Sequence, residues 1–167
     1  MNDSMLAYAF RHHTWANLSV VDACSSLPGE RLATPIPAIY GSVLDTLRHI
    51  VGADNWYLFV ISGRRIARID EERMSLAELR TAAESYGDAW EPILAEHSDP
   101  NLDVAAHRDD GSTSHAPIGI RLAQVVHHGT DHRSQICTAL TTLGVEPPEI
   151  DLWAYGEAIG TNFETPS

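Results

Sequence analysis

One stretch near the C-terminal end decides the fold: Val126-His127-His128-Gly129-Thr130-Asp131-His132-Arg133-Ser134-Gln135-Ile136. It lies within an apolar pattern of helical period that runs from about 118 to 143 and ends at Gly144. His128 and His132 are four residues apart, so both side chains leave the same face of this helix. His132 falls within the apolar stripe and His128 at its edge, whereas His127 and Asp131 are expected to point outward.

Two imidazoles with this spacing can chelate one divalent metal ion, but a site needs at least a third ligand. His49 lies at the edge of the apolar stripe of another predicted helix, and metal sites in helical bundles are built from facing helices. Three neutral imidazoles leave coordination positions open, which is typical of a catalytic site, and they suit Zn, Ni, Fe or Cu better than Mg or Ca. The competing interpretation is that these histidines are hydrogen-bonded core residues without a metal.

Three further amphipathic helices are predicted over about 4–27, 43–62 and 75–97. Pro28-Gly29 ends the first, Ser42 caps the second, and the capping-box pattern Ser75-Leu76-Ala77-Glu78 starts the third. Pro92 should kink or loosen the last turn of the third helix.

Between the third and fourth helices the sequence is not helical. Residues 101–117 alternate in polarity around the turn candidate Asp109-Asp110-Gly111, which predicts a short β-hairpin. Four long helices with mostly short links predict a single all-α domain over 1–167, folded as an up-down four-helix bundle with this hairpin between helices three and four. The tail after Gly144 is expected to be irregular and to pack back on the helices.

Several polar residues are predicted on apolar helix faces. Asp54 and Arg133 lie near the centres of their stripes, so we expect a buried Arg133–Asp54 pair, with substrate anchoring as the competing role for Arg133. His13 lies on the stripe of the first helix, where it either hydrogen-bonds across the helices or lines a pocket. Four other histidines are predicted to lie at the surface: His12, His97, His107 and His115.

The 167 residues carry 23 acidic and 11 basic side chains, a net charge of -12. Because acidic charge repels phosphates, and Arg64-Arg65-Ile66-Ala67-Arg68 is the one short basic cluster, nucleic-acid binding is not expected. The N-terminal residues lack the features of a signal peptide, and the longest apolar run is too short for a membrane span. Cys24 and Cys137 form no disulfide or metal pattern, so we expect a cytoplasmic protein with free thiols.

The motifs resemble a known family over nearly the whole chain, the DinB-like (DinB/YfiT) four-helix bundle proteins. The residues that carry the resemblance are Trp15-Ala16-Asn17, Leu47-Arg48-His49-Ile50-Val51, Asn55-Trp56-Tyr57-Leu58 and the stretch 126–136 quoted above. The resemblance implies a divalent metal, most often nickel or zinc, held by three histidines, which match His49, His128 and His132. It also implies a homodimer. Asp131 departs from the family, since many members have histidine there; a role for Asp131 near the metal is the alternative to its predicted outward direction.

The resemblance does not specify one reaction. Some relatives look like thiol transferases or isomerases that use a low-molecular-weight thiol, and others like hydrolases. We therefore expect a divalent-metal-dependent enzyme that acts on a small molecule, as a thiol-cofactor-dependent transferase or as a hydrolase, with a metal-bound water or thiolate as nucleophile. The alternatives are a non-catalytic, stress-related protein that binds a metal or ligand, and a purely structural helical protein.

Overall fold

The protein is mostly helical and carries one small two-stranded sheet. The structure, a computed structural model, describes residues 4–108, 110–162 and 165. The elements in chain order are α1 (Met5–Cys24), α2 (Gly29–Leu32), α3 (Val43–Ile61), a 3-10 turn (Glu71–Arg73), α4 (Leu76–Glu96), β1 (Asp103–His107), β2 (Thr113–Pro117), α5 (Ile118–Thr142) and α6 (Leu152–Ala158). The four long helices agree with their predicted bounds to within a few residues, and α4 continues through Pro92.

Side-chain caps explain where the helices begin. Ser42 accepts a hydrogen bond from the Asp45 N–H of α3 while the Asp45 carboxylate accepts one from the Ser42 N–H, a complete capping box. Ser75 and Glu78 form the same box at the start of α4, as predicted. Asp151 caps α6 through the Ala154 N–H, and this short helix was missed in the sequence, where the tail was expected to be irregular.

α1 and α3 each pack against both α4 and α5. α1 is antiparallel to α4, because Phe10 contacts Trp90 near one end and Asp22 pairs with Arg80 near the other. α1 is parallel to α5. Asn17 of α1 accepts a hydrogen bond from Arg133 of α5. Further along both helices, Arg31, which follows α1, donates to the carbonyl of Leu143, which follows α5.

α3 runs antiparallel to α5, with His49 beside His132 and Trp56 beside Arg121. α3 runs parallel to α4, because Asn55 lies beside Tyr86 and, further along both helices, Arg65 after α3 pairs with Glu96 at the end of α4. The directions along the chain are therefore up, down, down, up, and the simple up-down order predicted from short links does not hold.

The connection of residues 62–75 makes this order possible because it runs back along α3. Asn55 donates from Nδ2 to the Ala67 carbonyl (2.9 Å) and accepts the Ile69 N–H (3.1 Å), while Arg48 donates from Nε to the carbonyl of residue 74 (3.0 Å). Glu71 packs on α3 at Gly52, where a β-carbon would lie 2.7 Å from the Glu71 carboxyl. The sequence had suggested a simple link, but this segment returns the chain to the end of α3 from which α4 can start.

The predicted hairpin is present as antiparallel β1 and β2, with Val104 opposite Ala116. The buried guanidinium of Arg121 on α5 donates from Nη2 to the carbonyls of Val104 (2.8 Å) and Ser114 (3.0 Å), which fixes the hairpin to the helix. Of the predicted turn residues, Asp109 lies outside the described residues.

The segment after α5 returns to α1. His12 lies with Nε2 2.8 Å from the Ile150 carbonyl oxygen, and the Tyr155 ring of α6 packs on both His12 and Trp15. His12 is 9% exposed, so its predicted surface position is wrong, because the returning tail covers it. Across the described residues, no helix has both the length and the apolar character needed to cross a bilayer.

Candidate metal centre

The structure brings His49 of α3 together with His128 and His132 of α5. One ring nitrogen from each histidine lies within 4.8 Å of the other two, and all three residues are half-buried. The Nε2 atoms of His49 and His128 are 2.9 Å apart, and the three ring centroids are 4.5–4.7 Å from one another. This is the convergence expected from the sequence; that the cluster binds a metal stays a prediction.

The surroundings of His49 and His128 favour the neutral form of both imidazoles. Burial first, and then the neighbouring His132 and His49, lower the pKa of His128 to about 4. Burial and the nearby His132 also lower the pKa of His49, while Glu71 acts weakly in the opposite direction. Because a metal ligand must present a lone pair, rings that resist protonation suit an imidazole-bound divalent ion, and the donor set fits such an ion.

Two neighbours orient the rings. The Nδ1 atom of His132 lies 3.1 Å from Oε1 of Gln135, one turn further along α5, so the tautomer with hydrogen on Nδ1 donates to Gln135 and leaves Nε2 free as a ligand atom. The ring of Tyr40 stacks on His49 with centroids 4.2 Å apart and planes inclined by 15°. Tyr40 was missed in the sequence because it lies in the Pro- and Gly-rich loop 28–41, where residue spacing does not predict direction.

Comparison with known proteins agrees with this arrangement. The sequence model of the DinB family matches residues 1–162. The chain belongs to the DinB family. It is also similar to the protein named DinB from Bacillus subtilis (strain 168), with 20% identity over 155 residues that cover 87% of this chain and 90% of that protein. The family resemblance seen in the sequence is thereby confirmed.

In this DinB-family protein a buried polar network lies beside the histidine cluster. Arg133 donates from Nη1 to Oδ1 of Asn17 (2.7 Å) and lies 3.2 Å from Nδ1 of His13. Asp54 has its Oδ2 2.9 Å from Nε2 of His13 and accepts from Asn17 Nδ2 (3.2 Å). The predicted Arg133–Asp54 pair is therefore indirect, because the two α1 side chains lie between its members.

Protonation in the network follows from its hydrogen bonds. Arg133 can only donate, so His13 accepts at Nδ1 and donates from Nε2 to the Asp54 carboxylate. Burial lowers the pKa of Arg133 to about 10, which leaves it cationic at neutral pH. The network thus holds α1 against α3 and α5, the two helices that carry the candidate ligands. Of the two roles considered for His13, hydrogen bonding across the helices is the one observed.

The remaining histidines of the DinB-family chain lie apart from the cluster. His127 pairs with Asp131 at 3.3 Å, and both are exposed, as predicted, so Asp131 faces away from the candidate centre. The hairpin residues His107 and His115 are exposed as predicted, and His115 pairs with Asp103. His97 is half-buried at the end of α4.

Proposed function

We propose that this DinB-family protein binds a divalent ion, nickel or zinc, through His49, His128 and His132, and that it acts as a metal-dependent enzyme on a small molecule. One observation carries the proposal: three imidazoles from α3 and α5 present nitrogens within 4.8 Å of one another, and burial lowers the pKa of two of them, His49 and His128. The cluster is half-buried, so a small molecule can reach it. We also propose that the four long helices form a four-helix bundle of the up-down-down-up order described above.

Thiol transfer with an external thiol is the reaction that the side chains support best. A divalent ion bound by three imidazoles would lower the pKa of a thiol or water in its open positions. The chain's own thiols are unsuited to attack, since burial raises the pKa of Cys24 to about 12 and also raises that of Cys137. We therefore propose that a low-molecular-weight thiol cofactor supplies the nucleophile and that an electrophilic small molecule accepts it.

Hydrolysis is the second candidate, and Glu71 is the observation in its favour. The returning segment 62–75 brings the Glu71 carboxylate against Gly52 on α3, near enough to act electrostatically on His49. A carboxylate beside a metal centre can accept a proton from an attacking water.

Metal binding is tested by loading the purified protein with Ni²⁺ or Zn²⁺ and measuring metal content and affinity. We expect one ion per chain, and we expect His49→Ala and His128→Ala each to weaken binding by more than about 100-fold, because losing a ligand exceeds the usual effect of losing an outer partner. His127→Ala is the matched control, since its ring pairs with Asp131 at the surface. Wild-type protein without stoichiometric metal, or unchanged affinity in His49→Ala, would refute the site.

The reaction is tested with the metal-loaded protein. Low-molecular-weight thiols are screened against electrophilic acceptors, and simple esters and amides are screened in parallel. Turnover of thiols that is lost in His128→Ala supports the transferase. Turnover of esters or amides that falls in Glu71→Gln supports the hydrolase. Metal binding without turnover in either screen favours a non-catalytic metal- or ligand-binding protein.

A further inference from the structure

Tyr40 is a large aromatic residue that does not serve the core. Its side chain is 53% exposed, and its hydroxyl makes no hydrogen bond among the described residues. Its ring nevertheless contacts two of the three candidate ligands: it stacks on His49, and its centroid lies 6.2 Å from that of His132 with the planes inclined by 79°. A half-exposed aromatic ring stacked on a candidate ligand points to a role at the site.

The backbone on both sides of Tyr40 is tied down. Residues 35 and 42 form a β-bridge, and the Ile36 N–H donates to the Gly41 carbonyl (2.9 Å). The Tyr40 carbonyl accepts from the hydroxyl of Thr46 in α3 (2.9 Å). Gly41 has a φ of 69°, and a β-carbon there would lie 2.9 Å from the Asp45 carboxylate that caps α3. The ring is therefore presented to His49 by a closed loop that is joined to the same helix as the ligand.

His49 needs such support because its hydrogen bonding is sparse. Its one hydrogen bond among the described residues joins Nε2 to Nε2 of His128, which is itself a candidate ligand, whereas Nδ1 of His132 is held by Gln135 from outside the cluster. Metal-bound histidines are usually oriented by a hydrogen bond to their second nitrogen. At His49 the stacked Tyr40 ring occupies one face of the imidazole and restricts its rotation instead.

We infer that Tyr40 is a positioning residue that holds the His49 imidazole in the orientation required for metal binding. The inference rests on the proposed function. It gives the loop 35–42 a role in orienting a ligand of the candidate metal site, a role that its sequence alone does not predict. The contact is made by the ring face, so phenylalanine should replace tyrosine without loss.

The test is a titration of the metal-free protein with Co²⁺, followed by its visible absorption spectrum. We expect Tyr40→Ala to bind Co²⁺ about three- to tenfold more weakly, the range that one aromatic contact contributes, with an altered spectrum, and Tyr40→Phe to match wild type in both. Tyr8→Ala is the matched control, because Tyr8 is a partly exposed tyrosine on α1 that contacts Arg11. If Tyr40 only stabilised the fold, Tyr40→Ala would lower the unfolding midpoint and leave the Co²⁺ spectrum unchanged.

A second measurement follows the His49 ring protons by NMR in the metal-free protein. Stacking at 4.2 Å shifts these resonances, and we expect the shift to persist in Tyr40→Phe and to disappear in Tyr40→Ala. Equal Co²⁺ affinity and spectrum in wild type and Tyr40→Ala would overturn the inference while the metal site stands. Failure of wild type to bind Co²⁺, Ni²⁺ or Zn²⁺ would overturn the proposed function and this inference with it.

Discussion

At the residue scale, the absence of a side chain at Gly129 allows α1 and α5 to pack closely against each other. A β-carbon at this position would overlap Cε1 of the buried His13 ring and lie 2.7 Å from Nη1 of Arg133. Gly129→Ala should therefore destabilise the protein by about 1–3 kcal/mol, because the overlap outweighs the gain of up to about 1 kcal/mol from alanine's helix propensity. Urea unfolding measures the difference.

The control for this substitution is Gly52→Ala in α3. There the added methyl group meets the end of the flexible Glu71 side chain, which can move aside. A Gly129→Ala protein as stable as wild type, or more stable, would show that the close packing of His13 is not required.

Asp54 balances the charge of the buried network. Asp54→Ala leaves the buried Arg133 guanidinium without its counter-charge and His13 without its acceptor, so we expect a loss of about 3–5 kcal/mol in unfolding free energy. Asp131→Ala removes an exposed partner of His127 and should change stability by less than about 1 kcal/mol. Chemical denaturation of both variants tests this, and similar losses in the two would contradict it.

Side-chain direction could be predicted where it follows from position within one helix. The i, i+4 rule aligned His128 with His132, and the edge of an apolar stripe located His49. The contacts of Asn17 and Tyr40 could not be predicted from the sequence, because they depend on how α1 and the loop 35–42 pack against other helices. The same limit explains why a direct Arg133–Asp54 pair was expected where His13 and Asn17 intervene.

At the element scale, Asn55 attaches the returning segment 62–75 to α3. Its buried amide bonds to the backbone of Ala67 and Ile69, so Asn55→Ala leaves a carbonyl and an N–H without partners. We expect the Ile69 amide to exchange hydrogen much faster while α4 stays protected, which hydrogen–deuterium exchange would resolve. Ser85→Ala, at an exposed position of α4, is the control, and unchanged exchange at Ile69 would refute the role of Asn55.

The presence of the long helices and the residues at which they begin could be predicted, because the signals for both are local in the sequence. Ser42 with Asp45 and Ser75 with Glu78 lie within four residues of each other, and the apolar period extends over many turns. Helix direction was not predictable, since residues 62–75 can either turn or run the length of a helix, and Asn55 decides this through contacts distant in sequence. The four residues of α2 and seven of α6 are too few for a periodic signal.

At the scale of the whole molecule, the half-buried imidazole of His128 links stability to pH. The pKa of His128 is lowered from 6.5 to about 4, so between these values the unfolded chain binds the proton and the folded chain does not. The unfolding free energy of the metal-free protein should therefore fall as the pH decreases from about 6.5 to about 4. In His128→Gln we expect the unfolding free energy to fall less steeply with decreasing pH, as measured by urea unfolding with a chelator present. The same pH dependence in wild type and His128→Gln would contradict the lowered pKa of His128.

The order of the candidate ligands along the chain has a consequence for biosynthesis. His49 and His128 are 79 residues apart, and the elements between them are α4, the hairpin and the segment that returns along α3. Closing so long a loop in an unstructured chain is entropically unfavourable, so a growing polypeptide offers a metal at most isolated imidazoles. If the proposed site binds an ion, a ribosome-bound chain that has not yet released α5 cannot complete that site, and metal binding would follow synthesis rather than guide it.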